Sequence, residues 1–464
     1  MQLRQQKVGD PVVIGLAVAL ASTFMGCGFH SQPGLSLNTP EGVEQVLNTA
    51  PTISLATSNI STVYEAAGRL RVQHGSGCAH ASRAVSADGN SLGFRIHDMA
   101  AVPLDYGDAG TVLLNGWRLE YADDDHHVIG LGSAIYNVTE VRNGDQFELH
   151  WDAGGVLSDF DGDKPYEWCY YYTVVFWKRS SSAFDAVAFN HAGTFVQPTE
   201  SDVGNNTAVR DLPGAWMNGP YGPRAVLPRG FGLTWVGSGD HNVLQAGFDL
   251  GTPVSTGNTL SWTAQTLLKD DDTRRDYHGA ALVSVLSSRS VQQWRPSTVS
   301  SWSDSLNRWV PYLNNTRLTP MDPQGFGCVG GDTNTMQTQF SVDNVPFDYA
   351  VPVLHGWQLQ YPCSDHNAKK IGAWLTEFSY VKAAGAATGT LLYTIESTLA
   401  DNAFFFGPNG GEASYTVSIL GLNALSASPP PTQPPPPPQP PPPAPKDPPD
   451  RPPRCANPQN CEAF

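Results

Sequence analysis

The stretch "GWRLEYADDDHH", residues 116–127, decides the fold because its pattern occurs three times. "GFGLTWVGSGDH" fills 230–241 and "GWQLQYPCSDH" fills 356–366, each an aromatic–x–Leu–x–aromatic run, a polar loop and an Asp-His pair. The trios are Trp117/Leu119/Tyr121, Phe231/Leu233/Trp235 and Trp357/Leu359/Tyr361. Six residues past each histidine stands a glycine: Gly132, Gly247 and Gly372. A second motif follows in the same order, "WDAGGVLSD" (151–159), "WTAQTLLKD" (262–270) and "YTIESTLAD" (393–401), and a closing apolar run comes after it. Two motifs in one order, three times over, identify a triplicated module.

Within each copy the apolar residues alternate with polar ones, Arg118 and Glu120 in the first and Gln358 and Gln360 in the third. That period of two belongs to an antiparallel strand with one dry and one wet face. Charged residues make up only 15% of the chain while Gly, Trp, Tyr and Phe are plentiful, which favours short strands over helices. The expected fold is therefore all-β: three tandem antiparallel β-sandwich domains of roughly seven or eight strands each. Their limits are expected at 71–195, 206–310 and 321–426, where polar, turn-rich junctions such as "QPTESDVGNNT" intervene.

The flanks read differently. Residues 1–27 carry Arg4 and Lys7 ahead of an uncharged stretch, the layout of an export signal. Its "ALA" (19–21) permits ordinary cleavage, "FMGC" offers Cys27 as a lipidation site, and an uncleaved anchor is the third outcome. Each places the chain outside the cytoplasm, secreted or held at a cell surface or outer membrane. Residues 28–70 read as a spacer with one short helix, "TPEGVEQVL", capped by Thr39. Residues 427–464 form a proline-rich tail with the expected character of a polyproline II stalk, closed by "CANPQNC".

Apart from Cys27, six cysteines remain, an even number that suits disulfides in an exported chain. The pairs expected are Cys78–Cys169, Cys328–Cys363 and Cys455–Cys461. Membrane contact is expected only through the N-terminal lipid or anchor. A formal charge of −16 excludes nucleic acid as a partner, since that needs a basic footprint.

Candidate site residues concentrate in turns. Asp125-His126, Asp240-His241 and Asp365-His366 either cap their own turns or contact a ligand at a loop tip. Asp159, Asp161 and Asp163 alternate around Gly162 in "DFDGDKPYE", which resembles the start of a Ca²⁺ loop, although the glutamate that would complete an EF-hand is replaced by Tyr170. Tyr166, Trp168, Tyr170 and Tyr172 either stack on sugars or belong to the core. No nucleophile elbow, HExxH helix, P-loop or dinucleotide fingerprint occurs, so no catalytic residue is named. The function expected is non-enzymatic binding of an extracellular polymer, glycan or protein surface, in the manner of a lectin or adhesin. A secreted hydrolase with its site in repeat 1 and a structural envelope protein are the alternatives.

Overall fold

The computed structural model describes residues 57–66, 70–80, 94–159, 164–178, 189–192, 204–211, 224–235, 241–251, 253–256, 259–270, 277–287, 291–294, 298–303, 308–313, 317–318, 335–361, 367–401 and 412–422. The chain divides into two compact units, 1–424 and 425–464, and every described residue belongs to the first. The export signal, the short helix, the proline-rich tail, Cys27, Cys328, Cys363, Cys455 and Cys461 lie outside the described residues.

All elements described are strands. A hairpin of β1 (Thr57–Ala66) and β2 (Leu70–His80) precedes repeat 1, which supplies β3 (Phe94–Pro103), β4 (Ala109–Tyr121), β5 (Gly130–Asn143), β6 (Gln146–Ser158) and β7 (Tyr166–Trp177). After β8 (Phe189–Ala192), repeat 2 supplies β9 (Gly204–Asp211), β10 (Arg224–Trp235), β11 (Gln245–Leu250), β12 (Val254–Thr256), β13 (Thr259–Lys269) and β14 (Tyr277–Ser287). Next come β15 (Val291–Trp294), β16 (Thr298–Ser303), β17 (Arg308–Leu313) and β18 (Arg317–Leu318). Repeat 3 supplies β19 (Met336–Val345), β20 (Tyr349–Gln360), β21 (Lys370–Val381), β22 (Gly389–Ala400) and β23 (Glu412–Leu422).

Five strands recur in each repeat and split into two layers. In repeat 1, β3, β6 and β5 pair in one sheet while β4 pairs β7 in another. The layers pack face to face through aromatics: the Trp151 indole donates to the Tyr170 hydroxyl (3.4 Å), and the Trp168 indole to the Ser133 hydroxyl (3.1 Å). Tyr166, Trp168, Tyr170 and Tyr172 are all buried in this core and unavailable to a sugar. The disulfide Cys78–Cys169 ties β2 to β7, where the two residues stand directly opposite each other.

The expectation of three separate sandwiches needs correction, because the sheets do not end at the repeats. The outer edge of β5 pairs with β10 of repeat 2, that of β11 with β20 of repeat 3, and that of β21 with β4 of repeat 1. Each sheet thus joins the three recurring strands of one layer to the two of the next repeat, with β1, β2, β8, β12 and β15 to β18 added outside this pattern, and the cycle closes. The physical reason is the edge. A five-stranded unit standing alone would expose a long unpaired strand next to its own core, and the neighbouring repeat covers it.

The cycle has a measurable axis. Trp117, Phe231 and Trp357, the first members of the three trios, meet with all three ring-centroid separations at 4.9 Å. All nine trio residues are buried. Around that meeting point a void of only ≈ 10 Å³ remains, enough for about one water. The recurring glycines make the seams possible. A Cβ on Gly372 would lie 2.5 Å from the Trp117 carbonyl oxygen and one on Gly132 2.9 Å from that of Phe231, so strands of adjacent repeats approach there as only glycine allows.

Candidate functional site

Described residues in and beyond the Asp-His motifs link the three repeats through backbone hydrogen bonds. Val128 N–H donates to the His241 carbonyl (3.0 Å), while His126 and Ala368 exchange backbone bonds at 3.2 and 2.9 Å. The matching bonds Tyr121 N–H to Lys369 O (2.9 Å), Trp235 N–H to Ile129 O (2.9 Å) and Tyr361 N–H to Leu244 O (3.0 Å) extend these links through all three repeats. In repeat 2 the two motifs meet: His241 Nδ1 lies 3.0 Å from Asp270 Oδ2, both buried, with the ring stacked on Trp235. In repeat 1, His126 Nε2 binds Asp123 at 2.9 Å, and Lys369 of repeat 3 donates to the carbonyls of Tyr121 and Asp123.

The motif aspartates are inside as well. Asp159, Asp270 and Asp401 are buried. The Tyr121 hydroxyl is pushed up by burial and then by the nearby Asp159 charge, and Tyr361 by burial, then Asp401 and Asp125. Asp125 of repeat 1 therefore sits close to Tyr361 of repeat 3. Asp161, Asp163, Asp240, Asp365 and His366 lie outside the described residues. The recurring residues that are described thus serve seams and core.

Ionisable side chains converge elsewhere, on the outward face of β3, β5 and β6. In β6 the odd-numbered Leu149, Trp151 and Ala153 enter the core, and the intervening Glu148, His150 and Asp152 face away from it. His97 of β3 is the register partner of Asp152. The four form a continuous chain: Asp152 Oδ1 to His97 Nδ1 at 3.2 Å, His97 Nε2 to His150 Nδ1 at 3.3 Å, and His150 Nε2 to Glu148 Oε2 at 2.8 Å. Both ends are anchored, since Asn137 Nδ2 donates to Asp152 (2.9 Å) and Asn143 Nδ2 to Glu148 (2.8 Å). Asn137 holds a left-handed backbone (φ 50°), a conformation asparagine tolerates, at the irregularity in β5 that turns it toward Asp152.

Hydrogen bonds from His150 and then from Asn143 hold the Glu148 carboxyl below the usual carboxylate range. Ionised carboxylates only accept, so each requires an N–H on the imidazole nitrogen it faces. His97 then carries its proton on Nδ1 and His150 on Nε2. In those tautomers His97 Nε2 and His150 Nδ1, which lie 3.3 Å apart, both keep a lone pair.

This constellation belongs to repeat 1 alone. Aligned on Trp151, Trp262 and Tyr393, the positions of Glu148, His150 and Asp152 hold Thr259, Ser261 and Thr263 in repeat 2, and Thr390, Leu392 and Thr394 in repeat 3. The register position of His97 holds Thr207 and Gln339. In repeat 3 the same face carries a shallow groove of ≈ 210 Å³ lined by Gln339, Glu377, Leu392 and Thr394 among others. Sequence reasoning missed the cluster because "FELHWD" (147–152) begins four residues before the recognised motif and shares only its first two positions, and His97 lies in a strand with no recurring pattern. The ionisable alternation Glu148/His150/Asp152 was the available signal. The chain matches no family model, no curated protein and no solved structure.

Proposed function

We propose that the chain is an exported, non-enzymatic binding protein that recognises an extracellular polymer, a glycan foremost, through the outward faces of its three-strand layers. One observation carries this reading: the described motif residues that recur are consumed by seams and core, while the outward face differs in every repeat. A ring of near-identical backbones with distinct faces is a scaffold for display. Net acidity suits an uncharged or cationic polymer and keeps the chain off anionic surfaces.

The hydrolase alternative draws on the same face, where Glu148 and Asp152 flank two histidines. A single experiment separates the two. The purified full chain is screened on a glycan array and against generic glycoside, ester and peptide substrates. Binding without turnover, lost on replacing the outward residues of one repeat, supports the display reading. Turnover that disappears in Glu148→Gln overturns it.

A further inference from the structure

We propose that His97 and His150 form a binding site for a divalent d-block cation such as Zn²⁺, Ni²⁺ or Cu²⁺. In the tautomers fixed by Asp152 and Glu148, His97 Nε2 and His150 Nδ1 each keep a lone pair on the side the two rings share, 3.3 Å apart. Two such lone pairs repel unless something positive lies between them. One shared proton supplies a single charge against two carboxylates, whereas a divalent cation balances both.

The spacing favours the cation. Metal–nitrogen bonds of about 2.0–2.1 Å at a tetrahedral angle separate the two nitrogens by ~3.3–3.4 Å. His97 Nε2 and His150 Nδ1 are 3.3 Å apart. The surroundings are those that metal-bound histidines need: each ring gives its other N–H to a carboxylate, which fixes the tautomer and the ring orientation. Those carboxylates are themselves held by Asn137 and Asn143. Asp152 and Glu148 are largely buried, at 7% and 11% side-chain exposure, so the support is rigid. His97, at 59%, leaves the outer side open for water or a ligand's oxygen to complete the coordination. Two imidazole nitrogens select d-block ions over Ca²⁺ and Mg²⁺, which take oxygen.

This inference is independent of polymer recognition, since the site stands whether or not a glycan binds. The test uses the metal-free full chain. Titration with Zn²⁺ in a calorimeter is expected to show one equivalent bound, and Cu²⁺ electron paramagnetic resonance to show hyperfine coupling to two imidazole nitrogens. His97→Gln and His150→Gln should each weaken that equivalent about 100-fold or more, and Asp152→Asn and Glu148→Gln by about 10–100-fold. Because the Cu²⁺ spectrum is read on the unaltered chain, the test survives a variant that fails to fold. No uptake by the unaltered chain, a spectrum lacking two-nitrogen coupling, or unchanged affinity in either histidine variant overturns the proposal.

Discussion

Acidification from pH 7 to pH 5 should destabilise the chain through one ring, that of His74 on β2. Its Nε2 lies 3.1 Å from the Leu375 carbonyl oxygen, which can only accept, so the proton sits there. Its Nδ1 lies 3.0 Å from the Thr173 hydroxyl, and that hydroxyl already accepts from Asn115 Nδ2 at 2.6 Å. The hydroxyl's own proton therefore points at Nδ1, and the network is complete with a neutral ring. Phe378 covers one side edge-on at 5.7 Å. Burial lowers the pKa from its ordinary 6.5 to about 4, against smaller opposing contributions from backbone hydrogen bonds at Leu375, Thr376 and Tyr172.

Below pH 6.5 the unfolded chain takes a proton at this ring, and the folded chain does not until about pH 4. Stability is thus complete above pH 6.5 and falls as pH drops through that window. The loss is about 2 kcal/mol at pH 5 and about 3 kcal/mol below pH 4. Other groups titrate too, so the assay is a comparison. Urea unfolding of the unaltered chain and of His74→Gln, which keeps a donor and an acceptor, is measured from pH 8 to pH 5. The difference between the two should shift by about 2 kcal/mol in favour of the variant at pH 5. A difference that stays level across this range would refute the reasoning and imply that water reaches the ring.

Gly372→Val should cost roughly 3 kcal/mol, measured by urea unfolding, because its Cβ would meet backbone at the seam with repeat 1 and not a movable side chain. Replacing Cys78 and Cys169 by alanine releases a link spanning 91 residues and should cost up to about 4–5 kcal/mol by the same measurement. Residues 71–195 expressed alone should give no cooperative monomer, as judged by light scattering and thermal melting, since β5 and β4 both lose their partners in other repeats. Asn115→Leu strands the Leu354 N–H and the Pro352 carbonyl, which Asn115 contacts at 3.1 and 3.2 Å, and should cost about 2–3 kcal/mol in thermal or urea unfolding.

The alternation in "GWRLEY" was enough to specify strands and to bury Trp117, Leu119 and Tyr121, because a period of two is a local signal. The pairing of β21 with β4 was not legible, since nothing in either strand names a partner some 250 residues away. The clue was present but mute: a glycine six residues past each histidine marks a close backbone approach without saying to what. Cys78–Cys169 was legible because both residues fall within the expected limits 71–195, although Cys78 lies on a strand added ahead of the five that recur, at the edge of β7. The Asp-His pairs were recognised as recurrent, but the backbone bonds that His126, His241 and their described neighbours make between repeats depend on the cycle. The His97–His150 chain needed register, which sequence periodicity leaves open by any even number of residues.

Three equivalent bulges in β4, β10 and β20 show how a repeated backbone acquires a unique assembly. Each bulge holds one polar residue, Asn115, Arg229 or His355, and all three are buried. With one backbone geometry at every seam, a repeat of one molecule could pair with the wrong repeat of another molecule at no cost in strand hydrogen bonds. Different buried polar groups remove that degeneracy. Asn115 suits the Leu354 amide and the Pro352 carbonyl, and His355 places Nδ1 3.1 Å from the Leu250 carbonyl oxygen, so exchanging neighbours would leave buried groups unmatched. The same logic runs outward. Core and seam positions are constrained by the cycle, whereas outward positions on β3 and β19 and on β6, β13 and β22 are not. Repeat 1 has used that freedom to gather two histidines and two carboxylates, and the chemistry peculiar to this chain is to be sought there.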